Sequence, residues 1–244
     1  MDEPIRAGAR VAYFGGSFDP PHLGHLAVAR AAREALRLDA VLFAPVGTQP
    51  LKIQGSTASF DDRVAMTRLA IAGERGMSLS LADAPTATGT PNYSIDTLTR
   101  LREELPARCT LFFLMGADSF VSLRRWHRAA EIPFVAPLIV ASRPGQRLDD
   151  LRAALPEGVT MAPADCAGKN SAGIEVRCYS IANASGARAP FYLLPDLDVE
   201  ISASEIRAQF RAGALAPQEP KLLPDPVAEF VRARGMYREA GNRD

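Results

Sequence analysis

The chain has 244 residues, 47% of them hydrophobic, with 28 Lys and Arg balanced by 28 Asp and Glu. That length buries the core of one α/β unit without requiring two, and the balance excludes the broad basic field of a nonspecific nucleic-acid binder. No apolar run reaches the roughly 18 residues of a membrane span; the nearest, residues 132–142, is short and holds two prolines. Met1-Asp2-Glu3-Pro4 lacks the basic-then-apolar order of a signal peptide, and Cys109, Cys166 and Cys178 have no CxxC spacing. They read as thiols rather than a zinc site, which makes the cytoplasm the expected location and leaves no membrane or nucleic-acid partner.

After a tail at residues 1–9, the spacing predicts a first strand at Arg10–Phe14 and a helix at Gly24–Arg37. A strand at Ala40–Ala44 follows, then a helix at Asp61–Ala72 announced by the capping sequence Ser59-Phe60-Asp61-Asp62. Next come a strand at Met77–Leu81, a helix at Ser94–Glu104, and strands at Cys109–Met115 and Pro137–Ala141. Strands separated by single helices predict a doubly wound, Rossmann-like parallel sheet with right-handed crossovers. Residues 144–190 are broken repeatedly by Pro and Gly. They predict an irregular excursion at about 155–190, with a helix at Leu148–Leu155 before it and a strand near Gly173–Ser180. A last strand at Phe191–Leu194 precedes a small helical part: one helix from Ser202 or Ala203 to Phe210, another at Pro224–Arg234 stopped by Gly235. The domain is expected to run over residues 10–238, with a tail at 239–244.

The chemistry concentrates in Phe14-Gly15-Gly16-Ser17-Phe18-Asp19-Pro20-Pro21-His22-Leu23-Gly24-His25. A strand ending in paired glycines and passing into a helix suits a phosphate: the glycines allow close backbone approach, and the helix start carries positive potential. Asp19 reads as an acidic helix cap followed by prolines where no N–H is needed. His22 and His25 lie three residues apart, on one face of the first turn, where imidazole N–H groups can meet phosphoryl oxygens. Gly24 leaves room for a flat ring. Far away, Ser204 and Arg207 sit in Ile201-Ser202-Ala203-Ser204-Glu205-Ile206-Arg207, where hydroxyl, helix-start amide and guanidinium form a second anion clamp.

These two motifs together resemble the HxGH nucleotidyltransferase superfamily. Pro91-Asn92-Tyr93-Ser94, Gly116-Ala117-Asp118-Ser119, Trp126, Ser142-Arg143-Pro144-Gly145 and Leu223 to Arg238 narrow the resemblance to the bacterial nicotinate-nucleotide adenylyltransferases. The resemblance implies transfer of the adenylyl group of ATP to nicotinate mononucleotide, giving deamido-NAD and pyrophosphate in NAD synthesis. Mg²⁺ would ride on the ATP phosphates, with no dedicated metal ligands in the protein. His22, His25 and Arg207 would be catalytic. Phe14, Gly15, Gly16, Ser17, Gly24, Gly116, Asp118, Arg143 and Ser204 would hold ATP. Lys52, Tyr93, Ser94, Trp126 and His127 would hold the mononucleotide, with Trp126 stacking on the nicotinate ring.

The chain departs from the family pattern at Leu51, where histidine is frequent, at His127, where tyrosine is common, and at residues 84–90, which lack a frequent arginine. Those departures touch the mononucleotide half and leave open an amide-preferring or dual-specificity enzyme. A non-catalytic nucleotide sensor is a rival from another class, but it would have no need of the leaving-group clamp. A Rossmann dehydrogenase fits poorly, because Gly-Gly-Ser-Phe-Asp is not G-x-G-x-x-G. Oligomeric state stays open, a homo-oligomer included.

Overall fold

In a computed structural model of the chain, the described residues are 4–50, 55–142, 145, 148–165, 173–195, 197, 201–212 and 221–238. Among them, eight strands form one sheet in the order β3-β2-β1-β4-β5-β8-β7-β6. These are β1 (Arg10–Gly16), β2 (Ala40–Pro45), β3 (Met77–Leu79), β4 (Thr110–Gly116), β5 (Leu138–Ala141), β6 (Val159–Pro163), β7 (Arg177–Asn183) and β8 (Arg188–Leu194). β1 to β5 and β8 pair in parallel, while β7 pairs antiparallel with both β8 and β6.

The two faces of this sheet are buried by different helices, and the period-2 alternation of the strands assigns each side chain to a face. Tyr13, Leu111, Phe113 and Met115 point into a core shared with α3 (Ser94–Glu104), α4 (Ala117–Ser122) and α5 (Ile132–Val135). Ala12, Phe14, Phe112 and Leu114 point the other way, against α1 (Leu23–Ala35). The small residues Ala29 and Ala32 let that helix lie close. A third cluster joins α2 (Phe60–Ala70), α7 (Ala203–Arg211) and α8 (Asp225–Ala233) through Met66, Ile206, Phe210, Val227, Val231 and Tyr237. This is the small helical part that the C-terminal pattern predicts.

Helix ends follow their local chemistry. Ser59 caps α2, its hydroxyl accepting the Asp62 amide at 3.1 Å, with Asp61 and Asp62 in the first turn. α8 starts with Pro226 in its first turn and is followed by Gly235 in the left-handed region (φ 59).

The stretch at 155–190 differs from the expected irregular excursion: it carries β6 and β7, which extend the sheet as an antiparallel addition. Its glycines mark turns rather than an absence of strands. Gly158 (φ 76) precedes β6, and Gly186 (φ 82) lies in the β7–β8 turn, where the Asn183 Oδ1 accepts the Ala187 amide at 3.0 Å. Tyr179 and Ile181 alternate inward, and Pro163 ends an edge strand, where proline is tolerated. α6 (Leu148–Ala153) lies where a helix is expected. Cys109 is a free thiol, but Cys178 is disulfide-bonded, against the all-thiol expectation; spacing along a chain does not reveal such pairing.

Candidate active site

A cleft of about 920 Å³ opens beyond the carboxyl ends of β1 and β4. Strand order reverses there, since β1 connects outward to β2 while β4 lies on its other side. Open parallel sheets place their ligands at such a point. Phe14, Gly15, Gly16, Ser17, His22, Gly24, His25, Tyr93, Ser94, Gly116, Asp118, Trp126, His127, Ser204 and Arg207 all line it. Lys52 and Arg143 lie outside the described residues.

The glycine turn is required from inside the protein. A Cβ on Gly15 would lie 2.5 Å from the Tyr13 Oη, and one on Gly16 would lie 3.2 Å from the Phe18 ring. Neither neighbour is a mobile surface group, since both rings are buried. At the start of α1, the Leu23 amide is bonded to the Leu222 carbonyl at 2.9 Å and the His25 amide to His22 O at 2.9 Å. An anion at this turn would therefore meet side chains as well as helix amides.

His22 and His25 stack with ring centroids 3.7 Å apart. The His22 amide donates to the His25 Nδ1 at 3.1 Å, and Phe18 packs edge-on against the His25 ring at 4.9 Å. Burial, and secondarily the neighbouring His22, hold His25 well below the ordinary imidazole pKa. A neutral ring that accepts at Nδ1 carries its proton on Nε2. His25 is thus set as a neutral donor.

Asp19 does not cap α1. Its buried carboxylate accepts the Thr57 amide (2.6 Å), the Ala58 amide (3.2 Å) and the Tyr237 hydroxyl (2.7 Å), joining the motif loop to the approach of α2 and to the turn after α8. The Asp19 carbonyl accepts Arg207 Nη1 at 2.7 Å, and Arg207 Nη2 donates to the Ser204 hydroxyl at 3.1 Å. Buried Arg63 adds a bond from Nη1 to Ser17 O at 2.8 Å. The two anion motifs are therefore one assembly, although the residues bridged by the Arg207–Asp19 bond are 188 positions apart.

The opposite end of the cleft is built from the α3 start and the segment after α4. A single 3₁₀ turn, Leu123–Arg125, leads to Trp126, whose indole Nε1 donates to the Ser122 hydroxyl at 2.9 Å and whose ring packs near Phe113. Tyr93 and His127 lie ring against ring at 4.4 Å. Asn92 cross-braces the rim: its Oδ1 accepts the Thr48 amide at 3.0 Å, and its Nδ2 donates to Ala84 O at 2.9 Å. Beneath lies Asp83, which accepts from the Tyr13 hydroxyl and from the Thr97 hydroxyl (2.5 Å). Burial raises the Asp83 carboxyl above its ordinary range. Burial first, and the Asp83 charge second, raise Tyr13.

Sequence reasoning singled out neither Asp83 nor Tyr13, and it gave Asp19 a local role. The matching stretch from Leu223 to Arg238 contains Tyr237, but gives no sign of its partner. Among the described residues, no three His, Cys, Asp or Glu side chains come together as a metal-ligand set. No described helix is long and apolar enough to cross a membrane.

The sequence model of the cytidylyltransferase-like family matches residues 13–209. A "probable nicotinate-nucleotide adenylyltransferase" of Gloeobacter violaceus is 38% identical over 230 residues, covering 94% of this chain and 97% of its own. One from Stenotrophomonas maltophilia is 39% identical over 233 residues, covering 93% and 96%. A solved Plasmodium falciparum nicotinic acid mononucleotide adenylyltransferase, complexed with NaAD, superposes with a TM-score of 0.64 at 16% identity, covering 94% and 97%, a likeness of fold. The chain belongs to the cytidylyltransferase-like family, and within it to the nicotinate-nucleotide adenylyltransferases.

Proposed function

We propose that this enzyme joins nicotinate mononucleotide to the AMP part of ATP, forming deamido-NAD and pyrophosphate in NAD synthesis. The observation that carries the reading is the bonding of the Ser204–Arg207 clamp to the loop of His22 and His25, in one cleft at the sheet's switch point. The names of relatives at 38% and 39% identity supply the acceptor.

The chemistry is a single in-line displacement. An oxygen of the mononucleotide phosphate forms a bond to the α-phosphorus of ATP. The bond from that phosphorus to the α,β-bridging oxygen breaks, and its electron pair leaves with pyrophosphate. The attacking phosphate is already ionised at pH 7, so no general base is needed; positioning and charge stabilisation do the work. His25, neutral and donating from Nε2, hydrogen-bonds a phosphoryl oxygen as charge moves, and His22 shares that task. Arg207 and Ser204 hold the β- and γ-phosphates and favour departure of pyrophosphate. The glycine turn, Ser17 and Gly24 seat the ATP beside Phe14, with Gly116 and Asp118 at its ribose. Trp126 stacks on the nicotinate ring, while Tyr93, Ser94 and His127 face its carboxylate at the α3 start. Lys52, as a phosphate contact on the mononucleotide side, and Arg143, among the ATP-binding residues, belong to the same reading.

Mg²⁺ would be carried on the ATP phosphates and would offset part of their charge there, with no ligand set from the described residues. The substrates are small molecules, and the cytoplasm is the place of work.

The test is ATP labelled at the α-phosphorus and, separately, at the γ-phosphorus, incubated with Mg²⁺ and nicotinate mononucleotide. The α-label should appear in the dinucleotide and the γ-label in pyrophosphate. An α-label released as free AMP, or a γ-label transferred to the mononucleotide, contradicts the reading.

A further inference from the structure

We propose that the Tyr237 hydroxyl is a positioning group for the Arg207 guanidinium, acting through Asp19. The inference rests on the reading of Arg207 as the pyrophosphate clamp and names the residue that sets it. Arg207 is anchored on one side by Ser204, on its own helix, and on the other by the Asp19 carbonyl. A main-chain carbonyl is only as well placed as its peptide unit. The unit of Asp19 lies in the loop that carries His22, and its carboxylate is fixed by Thr57 N, Ala58 N and the Tyr237 hydroxyl. The two amides come from the approach to α2, whereas the hydroxyl comes from the turn that follows α8.

Tyr237 also reaches α7 by a second, apolar route. Its ring is buried in the cluster of α2, α7 and α8, with the Phe210 ring centroid 6.3 Å away and the Met66 Sδ 4.0 Å from the hydroxyl. The ring thus locates the helix that bears Arg207, and the hydroxyl locates the carbonyl that Arg207 grips. Tyr237→Phe separates the two routes, keeping the ring and removing the hydroxyl with its short bond to Asp19 and its long contact to the Met66 Sδ. Without it, the Asp19 carboxylate turns within its remaining bonds, the carbonyl shifts, and the guanidinium loses its fixed aim into the cleft.

The consequence is confined to one half of the site. Among the described residues, the groups read as facing the mononucleotide, Trp126, Tyr93 and His127, share no hydrogen bond with Asp19, Arg207 or Tyr237. Their binding should not respond.

The experiment measures binding of inorganic pyrophosphate with Mg²⁺ by calorimetry, on the full chain, for wild type, Tyr237→Phe, Arg207→Ala and the double variant. KM values for ATP and nicotinate mononucleotide, and Tm, are taken alongside. Tyr237→Phe should weaken pyrophosphate binding about tenfold, as for loss of a bond to a charged group, and raise KM for ATP. KM for the mononucleotide should not change. In the Arg207→Ala background, Tyr237→Phe should add no further loss, because the guanidinium it positions is gone. Unchanged binding in Tyr237→Phe with a clear loss in Arg207→Ala overturns the positioning role and leaves the clamp standing. No loss in Arg207→Ala overturns the clamp reading itself, and the proposal with it. Parallel losses for both substrates with a lowered Tm mean that the hydroxyl serves only the fold, which also overturns it.

Discussion

The donor role proposed for His25 requires a ring that resists protonation in a buried turn, and its surroundings hold it so. Burial and the stacked His22 lower its pKa, while the His22 amide occupies Nδ1. An NMR titration of the ring should therefore show no midpoint near the ordinary value of about 6.5. The linked effect on stability has a definite sign. Well above pH 6.5 neither the folded nor the unfolded chain protonates this residue. As pH falls below that value, the unfolded chain takes up a proton that the folded chain refuses, so stability declines toward the folded pKa. Urea unfolding between pH 7.5 and 5.5 should show this decline in the wild type and a shallower one in His25→Gln. For catalysis, His25→Ala should lower kcat by about a hundredfold with the fold retained, as expected for a lost transition-state donor. Unchanged turnover would remove the histidine from the mechanism. Trp126→Ala should act differently, raising KM for the mononucleotide while leaving KM for ATP alone; a loss confined to ATP would show that the indole does not face the acceptor.

Elements are tied together by buried polar groups, and Asp83 is the clearest case. It accepts from Tyr13 on β1 and from Thr97 on α3, and its own carbonyl accepts the Gly47 amide at 2.7 Å just after β2. Asp83→Ala strands two buried hydroxyls at once. Leaving such donors unsatisfied costs on the order of 2–4 kcal/mol, which urea unfolding would resolve; a loss under about 0.5 kcal/mol would mean the network adds nothing. Because Thr97 ties this network to the first turn of α3, the variant should also raise KM for the mononucleotide. Gly15→Ala makes a related point, since its methyl group would displace the Tyr13 hydroxyl from beneath the turn.

At this scale the sequence is most readable and also most misleading. Strands such as β1 and β4 are near-continuous apolar runs, and Ser59 carries a local cap, so periodicity and turn chemistry found them. β6 and β7 went partly unseen because their glycines and prolines punctuate a short antiparallel addition, and only the sheet edge they join tells turns from disorder. Asp19 looked like a cap of the adjacent helix because a sequence shows only near neighbours. Its true partners, Thr57, Ala58 and Tyr237, lie 38, 39 and 218 residues away. The motif residues in the cleft were legible because their chemistry is written in their own spacing. The residues that hold them, Asp83 and Tyr237, were not, because holding is a property of contacts made by the fold.

For the molecule as a whole, the sheet's switch point brings the two anion motifs and the aromatic end of the cleft into one volume. In the proposed reading the histidine turn and the arginine clamp take ATP and its leaving group, and Trp126, Tyr93 and His127, beside the start of α3, take the acceptor. The central claim is that this volume joins ATP to the acid form of the mononucleotide, and the direct measurement is pyrophosphate release from Mg·ATP with nicotinate mononucleotide and, separately, with nicotinamide mononucleotide. The account predicts rapid release with the acid and a much lower kcat/KM with the amide. Equal or greater efficiency with the amide contradicts the assignment of the carboxylate to the α3 start, and release with neither contradicts the adenylyl transfer itself.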